Sequence, residues 1–159
     1  MDKVARLTAQ QRSELFSESA AQKGTTPAVV EKDFWVTWVL HCLFRQPTLA
    51  RILRFKGGTS LSKVYHLIER FSEDIDLIID WRVLSGEDPL AERSRSKQGK
   101  LNAQLNEQAQ HYIGGEMLSL IVQALDGICQ CSIDASDPHV ININHPASFV
   151  LKTFCFHKN

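Results

Sequence analysis

The chain has no net charge to spend on binding. Its 18 Lys and Arg balance 18 Asp and Glu over 159 residues, which sets it apart from generic polyanion binders, whose affinity rests on an excess of positive charge. No apolar run reaches the ~20 residues that span a bilayer, and the stretch holding Asp2, Lys3 and Arg6 has no apolar signal-peptide core. The four cysteines, Cys42, Cys129, Cys131 and Cys155, form neither a Cys-x-x-Cys pair nor a zinc spacing. Cys129 and Cys131 would share one strand face, which suits a disulfide poorly, so a reduced, cytoplasmic setting is expected. The six histidines are scattered, and His66, His111 and His145 read as surface or internally satisfied residues. A Gly-x-x-x-x-Gly-Lys-Ser/Thr phosphate loop is missing, as is a kinase catalytic loop. Repeats and linkers are missing too. With 43% hydrophobic residues, the chain reads as one globular domain with room for a core.

What is present concentrates between Phe55 and Ile79. Ile75, Leu77, Ile78 and Ile79 are strand formers around Asp74, Asp76 and Asp80. Side chains alternate across a strand, so Asp74 and Asp76 project from one face about 7 Å apart. Two like charges there repel by roughly 2 kcal/mol at an effective dielectric near 20. A bound Mg²⁺ would remove that repulsion, since it prefers carboxylate and phosphate oxygens. The plain alternative is an Asp-x-Asp at a solvated strand end. Upstream, Leu53-Arg54-Phe55 reads as a short strand entering Gly57-Gly58, with Thr59 or Ser60 as the cap of a helix over 61–68. Two glycines permit a sharp turn and close approach to a ligand, and free amides at a helix start attract anions. By itself such a turn is also an ordinary strand-to-helix corner.

Lys56-Gly57-Gly58-Thr59-Ser60-Leu61-Ser62-Lys63-Val64-Tyr65, followed by Arg70-Phe71-Ser72-Glu73-Asp74-Ile75-Asp76-Leu77, resembles the AbiEii/AbiGii toxin family of the polymerase-β-like nucleotidyltransferase superfamily. The run Glu31-Lys32-Asp33-Phe34-Trp35-Val36 resembles the helix those proteins place before the motif, and the resemblance covers roughly residues 1–146. It implies an α+β fold, a mixed sheet flanked by helices after an N-terminal helical pair. It also implies a nucleoside triphosphate with Mg²⁺, an RNA acceptor such as tRNA, and an antitoxin partner. On this reading Asp74 and Asp76 carry the metals and catalysis. Gly57, Gly58, Thr59 and Ser60 cradle phosphates, Ser72 orients the Asp strand, and Lys63 and Arg70 offset triphosphate charge, although each reads equally well as a solvated helix residue.

One departure stands out. The superfamily uses a third carboxylate on a later strand, yet residues 147–159 contain no Asp or Glu. The expectation is an incomplete domain over 1–146 with an atypical tail over 147–159, a truncation that exposes a sheet edge and favours self-association. Asp134 is the nearest substitute, but Asp134 and Asp137 ahead of Pro138 read as turn residues. Two functions are therefore carried forward: a nucleotidyltransferase, and a catalytically impaired module that binds nucleotide or a partner.

Elsewhere, Thr8 to Gln11 reads as a capping box for a helix closed by Gly24, and Thr26-Pro27 starts a second helix. Val30, Phe34, Trp38 and His41 form its stripe, widened by Val36, Val39, Leu40 and Leu43. A helical turn around 47–53 leads to the motif. Residues 81–92 read as loop, residues 97–112 as an exposed helix, and Gly114-Gly115 as its break before a helix over 116–125. Residues 128–133 and 140–143 alternate as a hairpin. Charge is uneven: residues 57–80 carry two Lys/Arg against five Asp/Glu, while residues 81–100 carry five against three. Arg93, Arg95, Lys97 and Lys100 are the best candidates to steer RNA or triphosphate, although a solvated loop and helix start explains them more simply.

Overall fold

Two capped helices lead the chain into its sheet. The computed structural model describes residues 1–57 and 75–149 and the backbone of residues 154–157. After a short helix α1 (Asp2–Ala5), helix α2 (Ala9–Lys23) opens on the expected capping box: the Thr8 hydroxyl accepts from the Gln11 amide, and the Gln11 side chain answers the Thr8 amide. Gly24, left-handed at φ +65°, closes it. Helix α3 (Pro27–Arg45) starts with Thr26 as cap and Pro27 in the first turn. Its inward face differs from the expected stripe: Glu31, Lys32, Trp35, Val36, Trp38, Val39, Leu40 and Leu43 are buried, whereas His41 is exposed and Val30 and Phe34 are half-buried. The stripe is turned by the Trp35–Trp38 pair, whose rings meet edge to face at 5.6 Å and fill the centre of the core.

Helix α4 (Pro47–Ile52) runs straight into strand β1 (Leu53–Lys56), which pairs antiparallel with β2 (Ile75–Ile79). A 3₁₀ turn (Trp81–Val83) follows, with Asp80 as its cap. Helix α5 (Arg95–Tyr112) then continues through a π-helical turn (Ile113–Met117) into α6 (Leu118–Ala124). The Gly114-Gly115 pair was expected to break this helix and does not. Ile113, Met117 and Ile121 are all buried on one side, and the widened turn takes up the glycines while keeping that apolar row facing inward. Strands β3 (Gln130–Ile133) and β4 (Ile141–Asn144) form the expected hairpin.

The tail departs most from expectation. Residues Phe154–His157 form β5, which lies between β2 and β4, parallel to the first and antiparallel to the second. The described sheet has the order β1-β2-β5-β4-β3, so the side of β2 expected to stand open is occupied. The register explains the fit: Phe156 falls opposite both Ile75 and Ile141, two fully buried positions. A Phe-Cys-Phe run has the β-propensity that such a place requires.

One face of the sheet, carrying Leu53, Ile75, Leu77, Ile79, Ile141 and Ile143, packs with Trp35, Val39, Met117, Ile121 and Leu125 in a single cluster. Burying each such side chain stabilises the fold by roughly 1.5–3 kcal/mol. The alternate residues Arg54, Asp76, Ile78, Asn142 and Asn144 stay half-buried or exposed. Described helices thus cover one face, and the described side chains of the other face are mostly polar. Among the described residues no helix is long and apolar enough to cross a membrane.

Candidate functional site

Asp76 sits on the open face where β1 ends. The antiparallel register makes Lys56 its cross-strand neighbour, and the next residue, Gly57, turns with φ +80°. That backbone is left-handed, which disfavours any residue with a Cβ. Space forbids one as well, because a Cβ on Gly57 would stand 2.0 Å from Asp76 Oδ2. Gly57 and the Asp76 carboxylate are therefore in direct contact. Among the described residues the Asp76 carboxylate has no hydrogen bond or ion pair, although the residue is half-buried. Asp74, Gly58, Thr59, Ser60, Lys63, Arg70 and Ser72 lie outside the described residues.

Two other described aspartates near the sheet, Asp80 and Asp134, are occupied. Asp80, at the far end of β2, accepts from the Arg82 amide at 3.0 Å and from the Arg82 guanidinium at 3.1 Å, and these contacts, the amide first, hold its carboxyl below the usual range. Asp134 accepts from Ser136 Oγ at 2.6 Å, from Asn142 Nδ2 at 2.9 Å and from the amides of Ser136 and Asp137. Those donors, led by the Ser136 hydroxyl, push its carboxyl well down. Asp134 is thus the hairpin turn residue that its sequence context suggests, with its oxygens taken up locally.

Cysteine chemistry has no foothold in the described core. Burial pushes the Cys129 thiol up to about 12 and the Cys131 and Cys42 thiols up to about 11, so none is a ready thiolate. No group of three or more His, Cys, Asp or Glu able to hold a metal occurs among the described residues. What that part of the site offers a divalent ion is one hard oxygen donor, Asp76, on a solvent-reachable face beside a glycine corner. This fits a Mg²⁺ ion that takes its other ligands from substrate and water. A cavity of about 840 Å³ is lined by Val83 and Leu84, which follow β2, and by Gln108, His111, Tyr112 and Glu116, and its described lining includes neither Gly57 nor Asp76.

Sequence reasoning missed two features. Lys56, within the motif but given no role, is placed beside Asp76 by the β1–β2 register. Glu31, Lys32 and Arg12 are buried. The signal for them was weak: charged residues standing at inward positions of amphipathic helices.

Neither the curated proteins nor the solved structures gave a match to the chain. A family model did, that of the nucleotidyl transferase AbiEii toxin of type IV toxin–antitoxin systems, over residues 38–150. That span takes in β1, the Gly57 corner, β2 and the hairpin, and it exceeds half of the chain. The chain belongs to the AbiEii nucleotidyl transferase toxin family.

Proposed function

We propose that this nucleotidyltransferase toxin moves a nucleotide from a nucleoside triphosphate to an RNA hydroxyl, with tRNA as the leading acceptor class and Mg²⁺ as cofactor. The contact between Gly57 and Asp76 carries the reading, because it joins the phosphate-holding corner to a carboxylate that has no partner among the described residues. In the reaction the acceptor oxygen forms a bond to the α-phosphorus, the bond from that phosphorus to the bridging oxygen breaks, and pyrophosphate leaves. The hydroxyl proton passes to a basic oxygen or to solvent. Asp74 and Asp76 would hold the divalent ion, which when bound offsets charge at the reacting phosphate. Gly57 to Ser60 would hold the terminal phosphates through backbone amides and hydroxyls. Lys63 and Arg70 would offset the remaining triphosphate charge, Lys56 stands close enough in register to help, and Ser72 would orient the Asp strand. The setting proposed is cytoplasmic, with an antitoxin protein as partner.

The test is transfer of label from each α-labelled triphosphate to total RNA with Mg²⁺, comparing the parent with Asp74→Ala and Asp76→Ala. Label on RNA that disappears in both variants supports the assignment, and equal label in all three proteins refutes it.

A second reading rests on β5 (Phe154–His157), the strand beside the Asp76 strand, which carries no acid. The site then binds nucleotide, or the sheet engages a partner or a second copy, without transfer. Thermal stabilisation by triphosphate and Mg²⁺ without turnover distinguishes this reading from the first.

A further inference from the structure

Three contacts tie the segment that follows β4 to the N-terminal helices. Arg12 on α2, only 4% exposed, donates to the Pro146 carbonyl at 2.7 Å and also to the Leu7 carbonyl. Glu31 on α3, 2% exposed, receives two consecutive backbone amides, Ser148 on Oε1 at 2.7 Å and Phe149 on Oε2 at 2.8 Å. The His145 ring stacks on Trp35, with centroids 5.2 Å apart and planes within 18°. Arg12 and Glu31 thus clasp the chain five to eight residues before β5 begins at Phe154.

A buried carboxylate is costly unless it is fully engaged, and two amides, one on each oxygen, are the geometry that keeps it. Such a group does more than fill space, because it fixes the direction of the backbone that donates to it. The chain leaving this clasp becomes the strand that lies beside β2, with Phe156 registered to Ile75 and His157 to Asp76. Neither Arg12 nor Glu31 falls within the family match over residues 38–150, so the match assigns them nothing.

We propose that Glu31, assisted by Arg12, is a positioning residue that seats β5 against the Asp76 strand and so fixes the open face on which transfer takes place. Its catalytic consequence rests on the reading of Asp76 as a working carboxylate; its structural consequence does not. Glu31→Gln keeps the size of the side chain but turns an amide NH₂ towards one of the two backbone donors.

Hydrogen–deuterium exchange on the full chain decides the matter. In Glu31→Gln the amides of β5 and of Ile75 and Asp76 are expected to exchange about tenfold faster, while the β3–β4 hairpin pairing and the α5–α6 helices keep their protection. The kcat for transfer is expected to fall about tenfold, with the KM for triphosphate within about twofold, because the phosphate corner at Gly57 is untouched. Unchanged exchange in β5 overturns the proposal. So does uniformly faster exchange across the sheet, the mark of general destabilisation. Should Glu31→Gln fail to fold, Phe149→Pro removes one donor amide from the opposite side of the same contact, and unchanged β5 exchange there overturns it equally. Asp76→Asn tests the site separately: full transfer by that variant sinks the site reading while the exchange result still decides the role of Glu31.

Discussion

Asp76 and Asp134 are both half-buried aspartates at the borders of one sheet, and they have opposite fates. Asp134 spends its oxygens on Ser136, Asp137 and Asn142, locking the turn between β3 and β4. Asp76 spends none of its carboxylate oxygens among the described residues, and Gly57 lies against it at φ +80°, where a Cβ would clash with Oδ2. Carboxylates that serve folding are satisfied from within, by donors a few residues away. A carboxylate left without donors in a half-buried place bears a desolvation cost that a ligand can offset. Among the described residues this contrast supports the proposal that Asp76, and not Asp134, faces substrate.

The sharpest way to break the comparison is Asp76→Asn. It keeps the shape and removes the charge, so transfer is expected to drop by on the order of 10³-fold in a rate assay with Mg²⁺. Its melting temperature is expected to stay near that of the parent, since no described hydrogen bond is lost. Next in size is Gly57→Ala. The added methyl would meet Asp76 Oδ2 at 2.0 Å and the backbone would keep φ +80°. Strain of this kind costs about 1–3 kcal/mol, readable in a denaturant titration. Transfer is expected to fall by roughly 10²-fold as the carboxylate is pushed from its place. A Gly57→Ala protein with parental activity would show that the corner and the acid work independently.

How far the sequence announced this contrast differs from residue to residue. Caps were legible because they are local: Thr8, Gly24, Thr26 and Pro27 each act through bonds spanning a few residues. The β2 alternation and the hairpin were legible for the same reason, and so was the turn role of Asp134. The π-helical turn was not, because glycine's propensity to break a helix was outweighed by burial of Ile113, Met117 and Ile121 across the same stretch. The place of β5 was not legible either. Nothing within a Phe-Cys-Phe run says which strands it will join, and the answer depends on Glu31 and Arg12, 117 to 134 residues away in sequence from the backbone they hold. For the site, the motif set an acid pair opposite a glycine corner, whereas the contact of Gly57 with Asp76 and the place of Lys56 became visible only through the geometry of β1 on β2.

A smaller effect is expected at the clasp. Burial, the largest influence, lowers His145 to about 4, with Glu31 opposing and Lys32 and Arg12 reinforcing the shift. The unfolded chain therefore binds a proton near pH 6.5 that the folded chain refuses until about pH 4. Stability attributable to this group is full above about pH 6.5 and declines as pH falls towards 4. Allowing for its partial exposure, the loss is of order 1–2 kcal/mol. His145→Phe keeps the stack on Trp35 and removes the proton, so melting curves of this variant between pH 7 and 4 should show a shallower decline than the parent.

The smallest effect on activity belongs to Asp134, which completes the contrast. Asp134→Asn replaces one acceptor oxygen by an NH₂ that faces donors in the hairpin turn, so the variant should melt below the parent at neutral pH. The folded carboxyl is held below its ordinary value by hydrogen bonds to Ser136 and Asn142. Stability from that arrangement is complete above the ordinary carboxylate range, about pH 4, and disappears only as acid protonates the folded group. The gap between variant and parent is therefore expected to narrow as pH drops below about 4. Transfer per folded molecule should be unchanged, because the oxygens of Asp134 are already engaged within the turn. Loss of transfer with the hairpin intact would mean that Asp134 faces substrate after all, and the distinction between satisfied and unsatisfied aspartates would no longer identify the site.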